Sequence, residues 1–432
     1  MGSVKPVPIP GPKGVPFLGN VYDIDQEMPV RSFELMADQY GPIYRLTTFG
    51  LSRVVVSTQE LVDEVCNEER FAKSVDGGLG QLRNLLHDGL FTARYPGEEN
   101  WALAHRVLIP AFGPLSIRGM FDEMQDIANQ LVMKWARQGP ETPIVVTEDF
   151  TRLTLDSIAL CAMGTRFNSF YHDSMHPFVE AMVGGMQVAS YRAQRPSFLN
   201  QLPTSENNAF WNDISYMRNL AKELTEDRRK HPSDKKDLLN ALILGRDPQS
   251  GKGLSDESII DNMITFLIAG HETTSGMLSF VFYYLLKNAH AYKKAQEEVD
   301  RVIGRRKITV DDLSKLPYIN AVMREALRLN PPASVMRVHA HPTKNKEDPV
   351  TLGNGRYVLN KDEPITVLLP KLHRDPKVYG ADAEEFKPER MLDENFNSLP
   401  RNSWKPFGNG MRGCIGRPFA WQEGLLAIAL LL

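Results

Sequence analysis

The stretch from Ser255 to about Lys287 reads as one helix, and its length constrains the fold more than any other feature of the chain. Ser255-Asp256-Glu257 supplies the start signal, a side-chain acceptor followed by acidic residues in the first turn. At ~1.5 Å per residue the helix is roughly 45–50 Å long and must cross the whole domain that contains it. A core of that extent needs a long chain, and 432 residues are enough to build it. Hydrophobic residues make up 42% and charged residues 24%, as in an ordinary globular protein. A net charge of −3 provides no basic field for nucleic acid and no polybasic patch for a membrane surface.

Helix dominates from about residue 100 onward. Residues 119–137 and 147–163 carry apolar side chains at three- and four-residue spacing. Residues 169–230 read as Met- and aromatic-rich helices broken at Pro196 and Pro203, and residues 230–254 as a polar surface loop. Residues 42–57 read as a hairpin turning at Phe49-Gly50. A capping box of Ser57 and Glu60 then opens a helix through Cys66. Residues 350–368 hold two short strands, TLGNGRYVL and EPITVLL. Residues 369–413 are mostly irregular, which over such a length points to function. A last helix starts near Arg417 and runs off the end of the chain. The expected class is mainly α with small β-sheets, with no internal repeat.

The first twenty residues hold five prolines and four glycines and read as an extended arm over a domain surface. They contain no apolar run for a signal peptide or transmembrane anchor, and Pro6 breaks the myristoylation pattern. The three cysteines, Cys66, Cys161 and Cys414, are no disulfide framework and show no CxxC zinc spacing. A soluble protein in a reducing, cytoplasmic compartment is expected. Cys66 and Cys161 sit in helical stretches and read as packing residues. Met182, Met186, Met263 and Met277 recur at helical spacing and read as core or as cavity lining.

Four segments carry chemistry. Around Cys414 the chain reads Phe407-Gly-Asn-Gly-Met-Arg412-Gly-Cys414-Ile415-Gly416, with four glycines within nine residues. Either this is a buried cysteine in a tight turn, or the turn's N–H groups and the following helix N-terminus stabilise a thiolate that holds a metal. In the long helix, Ala269-Gly270-His271-Glu272-Thr273-Thr274 interrupts an apolar run. A mid-helix Gly costs about 1 kcal/mol relative to Ala. Small Ala269 and Gly270 would leave room for a flat ligand, the threonine hydroxyl could bond to the carbonyl one turn back or to dioxygen, and Glu272 could relay protons. The competing reading is a polar kink in a buried helix. Glu325 and Arg328 lie at i and i+3, an ordinary surface pair unless the apolar surroundings bury it. Trp101 and His105 share a helix face four residues apart.

Together, Phe-x-x-Gly-x-Arg-x-Cys-x-Gly, Ala-Gly-x-Glu-Thr-Thr, Glu-x-x-Arg and Pro388-Glu389-Arg390 resemble the signature segments of the cytochromes P450, in that family's order and over most of the chain. The resemblance implies the P450 fold, a triangular prism with haem between the long central helix and the cysteine loop with its following helix. It makes Cys414 the iron ligand of haem b, with Glu272 and Thr273 delivering protons on the oxygen side. Glu325, Arg328 and Arg390 become a buried structural network. Lys73, Trp101, His105 and Arg412 become partners of the haem propionates, and Ala269, Gly270, Phe407, Ile415 and Gly416 line the haem. Phe91 and Ala333 would flank substrate, although either could serve packing alone.

Gly89-Leu-Phe91-Thr92, ITFLIAGHETTSGMLSF and WKPFGNGMRGCIGRPFAWQE look like the fused bacterial and fungal fatty-acid hydroxylases. That likeness implies a single haem domain cut within the helix after Cys414, with a diflavin reductase carrying FAD and FMN and taking NADPH beyond this chain. The implied activity is hydroxylation of unactivated C–H bonds in a lipophilic substrate, at subterminal positions of medium or long-chain fatty acids. A haem-thiolate sensor without turnover and a peroxide-driven peroxygenase are the competing readings; neither needs the acid–threonine pair. By spacing from Gly50, Leu51 and Val55 stand where an arginine and a tyrosine would anchor a carboxylate, with Arg53 between them.

Overall fold

Alternating β-branched residues and a left-handed Phe49-Gly50 turn, both at positive φ, fold residues 43–56 back on themselves. The computed structural model describes residues 5–94 and 98–432, without the side chain of Gln194. The first four residues of the expected N-terminal arm lie outside that range. The chain is mainly helical with small sheets. It divides into two compact units, Met1–Ser74 with Ala321–Cys414, and Val75–Asn320 with Ile415–Leu432.

The first unit holds seven strands: β1 (Ile43–Thr48), β2 (Leu51–Val56), β3 (Phe71–Lys73), β4 (Val335–Ala340), β5 (Thr351–Leu352), β6 (Tyr357–Val358) and β7 (Ile365–Leu368). Five form one sheet in the order β1-β2-β7-β4-β3, while β5 and β6 pair separately. Only β2 and β7 run parallel, with Val55 opposite Thr366. Alternation along the strands serves two cores. Val54, Val56, Ile365 and Val367 pack with the helix Gln59–Val65, and Tyr44, Val55 and Leu368 pack with Phe33, Met36 and Ala37. The segment expected to hold the single strand TLGNGRYVL is a hairpin of two, and β4 was not anticipated.

No capping box forms at Ser57. The helix starts after Thr58 without a side-chain cap, and Ser57 Oγ donates to the Pro42 carbonyl instead. The Gln59 N–H is taken by Asp375 Oδ2 at 3.0 Å, a partner remote in sequence. In the second unit, the stretch expected to be a plain loop contains the helix Leu238–Leu244, capped by Asp237 accepting from the Asn240 N–H. Its Leu238, Leu239 and Leu242 are buried, a short apolar face hidden among polar neighbours.

The irregular segment of the first unit is organised by charge. Arg328 is fully buried at the end of the helix Pro317–Leu329, and all five of its N–H groups are used. Nε and Nη2 grip Glu325 at 2.7 and 2.9 Å, Nη1 donates to the His373 and Ala383 carbonyls, and Nη2 to that of Glu385. Glu325 accepts further bonds from Arg390 Nε at 3.0 Å and the Lys387 N–H at 2.9 Å. The guanidinium also lies over Tyr379, whose hydroxyl donates to the Ser403 carbonyl.

The second unit is built around the helix Asp256–Lys287, 32 residues long and capped by Ser255. It packs along the helix Val146–Met163: Thr154 Oγ1 donates to the His271 carbonyl at 3.0 Å, and Phe150 stacks on Phe282. Here too lies Glu423, on the helix Arg417–Leu431, 2% exposed with neither carboxyl oxygen hydrogen-bonded among the described residues. Burial pushes its carboxyl up to about 8, weakly opposed by the nearby Ser157 hydroxyl.

Replacing Glu325 with Ala leaves Arg328 charged and without its carboxylate. Thermal or denaturant unfolding should show a loss of ~3–5 kcal/mol, and an unchanged midpoint would contradict the network's role. The raised Glu423 value sets a pH dependence. The folded chain binds this proton more tightly than the unfolded chain, so stability falls as pH rises from the ordinary carboxyl range of ~4.3 toward about 8, then levels. Between pH ~5 and ~8 wild type should lose ~1–3 kcal/mol relative to Glu423→Gln. Parallel profiles for the two proteins would refute the assignment.

Candidate functional site

The cysteine loop of the first unit is shaped by glycine. Gly408 and Gly410 both adopt positive φ, of 79° and 51°, a conformation other residues rarely take. The Cys414 N–H closes the loop by donating to the Phe407 carbonyl at 2.8 Å, and the Gly413 N–H donates to that of Gly410 at 3.0 Å. Cys414 is exposed on this unit, whereas Cys66 and Cys161 are buried; none is in a disulfide. Burial raises both buried thiols, Cys66 to about 11, so they stay protonated packing groups.

Lys73, at the end of β3, stands within electrostatic reach of Cys414 and Arg412. Its ammonium is lowered to about 7, first by burial and then by the Arg412 charge, with Cys414 opposing. Two cations held together at a half-buried position beside a thiol are relieved by an anion. A dianionic haem whose iron takes a thiolate would fit this donor set, with Lys73 and Arg412 as the cations for its carboxylates and Cys414 as the ligand for its metal.

His373 links the buried network to the loop, and the motifs did not single it out. It is fully buried; Nδ1 donates to the Arg328 carbonyl at 3.2 Å and Nε2 accepts from the Lys405 N–H at 2.9 Å. Burial and the Arg328 charge push it down to about 3, so it stays neutral and keeps Nε2 as an acceptor. Trp404 adds a second link, with Nε1 donating to the Arg324 carbonyl and the ring 6.1 Å from that of Phe407. The signal for His373 was a histidine ending the apolar run ITVLLPKLH, inside a segment already marked as irregular. Ala333, which follows Pro331-Pro332, is exposed on this unit.

In the second unit, Trp101 and His105 stack with centroids 4.6 Å apart, as their spacing requires. Trp101 is 3% exposed and His105 half-buried. On the long helix, Ala269, Glu272 and Thr273 share one exposed face at i, i+3 and i+4. Thr273 Oγ1 donates to the Ala269 carbonyl at 2.9 Å, the bond one turn back. Although Glu272 lies on this exposed face, partial desolvation by the surrounding protein raises its carboxyl above the ordinary value, so it holds a proton more firmly.

Gly270 has a packing reason of its own. A Cβ there would lie 2.7 Å from Ile158 Cγ1, so the missing side chain lets the two helices close. His271 is fully buried, its Nδ1 bonded to the Leu267 carbonyl, and burial lowers it to about 4. Phe91 keeps 38% of its surface exposed. Ile415 and Gly416 are half-buried at the start of the last helix.

Residues 9–432 match the cytochrome P450 family. The chain is 71% identical over 430 residues to a bifunctional cytochrome P450/NADPH–P450 reductase of Aspergillus oryzae, covering 100% of this chain and 39% of that protein. It is 55% identical over 426 residues to the self-sufficient cytochrome P450 monooxygenase CYP505U2 of Exserohilum turcicum, covering 99% and 39%. Over 425 residues it is 53% identical to the self-sufficient monooxygenase CYP505E5 of Aspergillus niger, covering 98% and 40%. It therefore spans about two-fifths of the length of these relatives. With its signature segments in order and matched along almost the whole chain, this protein belongs to the cytochrome P450 family.

Proposed function

We propose that residues 1–432 act as the single haem domain of a self-sufficient monooxygenase. It inserts one atom of dioxygen into an unactivated C–H bond of a lipophilic substrate, at subterminal positions of medium or long-chain fatty acids. Electrons come from NADPH through FAD and FMN of a diflavin reductase fused to it. The observation that carries this reading is the glycine-shaped Cys414 turn with Lys73 and Arg412 beside it, in a chain whose relatives are named as P450–reductase fusions. When bound, haem would supply an iron able to activate dioxygen, with the Cys414 thiolate donating electron density to it.

The chain's own residues have these roles. Cys414 would hold the iron from its turn. Lys73 and Arg412 would meet the propionates, since buried carboxylates need charged or N–H donors, and the family resemblance gives Trp101 and His105 the same role. Phe407, Ile415 and Gly416 would line the haem, and the family resemblance gives Ala269 on the long helix the same role, whereas Gly270 is taken up by packing against Ile158. Glu272, with its raised carboxyl, is the proton donor, and Thr273 hands the proton on from a hydroxyl fixed by the Ala269 carbonyl. Phe91 and Ala333 flank the substrate.

Leu51 and Val55 provide no carboxylate anchor; Val55 is fully buried and Leu51 is apolar and exposed. Arg53 is held by Thr48 Oγ1 at 2.8 Å within its own hairpin. That bond uses one of the five N–H groups, so Arg53 stays the candidate for a carboxylate anchor, beside apolar contact along the substrate chain. Among the described residues no helix is long and apolar enough to cross a membrane, in keeping with the cytoplasmic placement proposed here.

In the reductase-fused protein, Cys414→Ala should abolish the strongly red-shifted carbon-monoxide band of the reduced haem. Its persistence would sink the ligand assignment. Thr273→Ala should leave NADPH oxidation running while product per NADPH falls by ~10²-fold, the scale of a lost proton-transfer group. Full coupling in that variant would favour a sensor or peroxygenase mechanism. Mass spectrometry after incubation with fatty acids, alcohols and alkanes identifies the substrate class.

A further inference from the structure

The turn that follows the helix Gln59–Val65 is clasped to the cysteine loop by side chains at none of the fixed positions of the signature segments. Asn409 Nδ2 donates to the Cys66 carbonyl at 2.9 Å, and Lys405 Nζ donates to Asn402 Oδ1 and Asn409 Oδ1 at 2.7 and 2.8 Å. Asn402 Nδ2 in turn donates to Asp63 Oδ1 at 2.7 Å. Glu68 reaches furthest toward Cys414. Its Oε1 accepts from the Met411 N–H at 2.8 Å. Its carboxyl also occupies the space where a Cβ on Gly410 would stand, 2.1–2.3 Å from that position. The bare Cα of Gly410 is what allows the carboxylate to reach Met411.

Gly410–Arg412 is one turn of 3₁₀ helix, closed by the Gly413 N–H on the Gly410 carbonyl, and Cys414 follows directly. A bond to Met411 therefore acts on the turn that sets the direction of the Cys414 side chain. Glu68 is exposed, so this contact contributes little to the hydrophobic core. We infer that Glu68 is a positioning residue for Cys414, its carboxylate bonding the Met411 N–H and resting on Gly410 so that the turn presents the thiolate to the haem iron. The inference rests on Cys414 being the ligand.

A charge-assisted bond to an N–H is about twice as strong as a neutral one. Without it the turn samples conformations in which the thiolate lengthens or takes a proton, and the carbon-monoxide band then moves to shorter wavelength. The test uses the reductase-fused protein with Glu68→Ala, Glu68→Gln and Glu69→Ala. The rate at which the red-shifted band converts to the shorter-wavelength form on mild warming is read beside the far-ultraviolet circular dichroism.

Glu68→Ala should convert roughly tenfold faster with unchanged circular dichroism, the scale of one lost hydrogen bond. Glu68→Gln should fall between the two, roughly threefold faster than wild type, because its amide oxygen accepts from the same N–H without the charge. Glu69→Ala removes the neighbouring charge, which pairs with Lys344, and should behave as wild type. A wild-type rate in Glu68→Ala, with Cys414→Ala still abolishing the red-shifted band, overturns this inference alone. Retention of that band in Cys414→Ala overturns the ligand assignment and this inference with it.

Discussion

The buried Arg328 guanidinium is the interaction on which the cysteine-bearing unit depends. Removing a charge of this kind from water costs several kcal/mol, and a single carboxylate does not repay that. Arg328 meets the requirement by using every N–H, with Glu325 as counter-ion and three backbone carbonyls as further acceptors. Those carbonyls belong to His373, Ala383 and Glu385, in a segment whose only regular elements are short helical turns. Buried carbonyls without a ladder need partners. The arginine supplies them, so the charge and the irregular backbone each satisfy what the other lacks.

That arrangement extends to the cysteine loop in short steps. His373 gives its carbonyl to Arg328, returns an N–H to the Arg328 carbonyl, and uses Nε2 to hold the Lys405 N–H. Lys405 fixes Asn402 and Asn409, and Asn409 fixes the Cys66 carbonyl. Every link is a hydrogen bond with one defined geometry. A loop of four glycines, which loses much entropy on being ordered, is thereby held by its neighbours together with its own Asn409. A neutral His373 is essential to this chain of bonds, because a protonated ring would offer Lys405 no acceptor.

Much of this was legible in the sequence where the signal is local. The hairpin at Phe49-Gly50, the Ser255 cap and the Trp101–His105 stack depend on residues no more than a few positions apart, and the structure has all three. The Glu325–Arg328–Arg390 network was readable only through the family's motifs, since its third member lies far along the chain. The capping box at Ser57 failed for the same physical reason: Asp375 competes for the Gln59 N–H, and no local pattern records it. His373 and Glu68 escaped because their roles are defined by partners distant in sequence, Lys405 and Met411, whose contribution is a backbone N–H that any residue type could offer.

The long helix shows how one motif satisfies two demands at once. Its polar break looked like a cavity for a flat ligand, yet Gly270 is required by Ile158 and the His271 carbonyl by Thr154, both on the neighbouring helix. Ala269, Glu272 and Thr273 lie on a different face, exposed and one turn apart. The segment Ala-Gly-His-Glu-Thr therefore alternates between packed and exposed positions with the period of the helix. Substituting Gly270 tests helix packing, whereas substituting Thr273 tests the proton role proposed for it, because Gly270 faces Ile158 and Thr273 is exposed. A mid-helix glycine at a functional motif is thus no proof of ligand contact: here close helix packing alone is enough to require it.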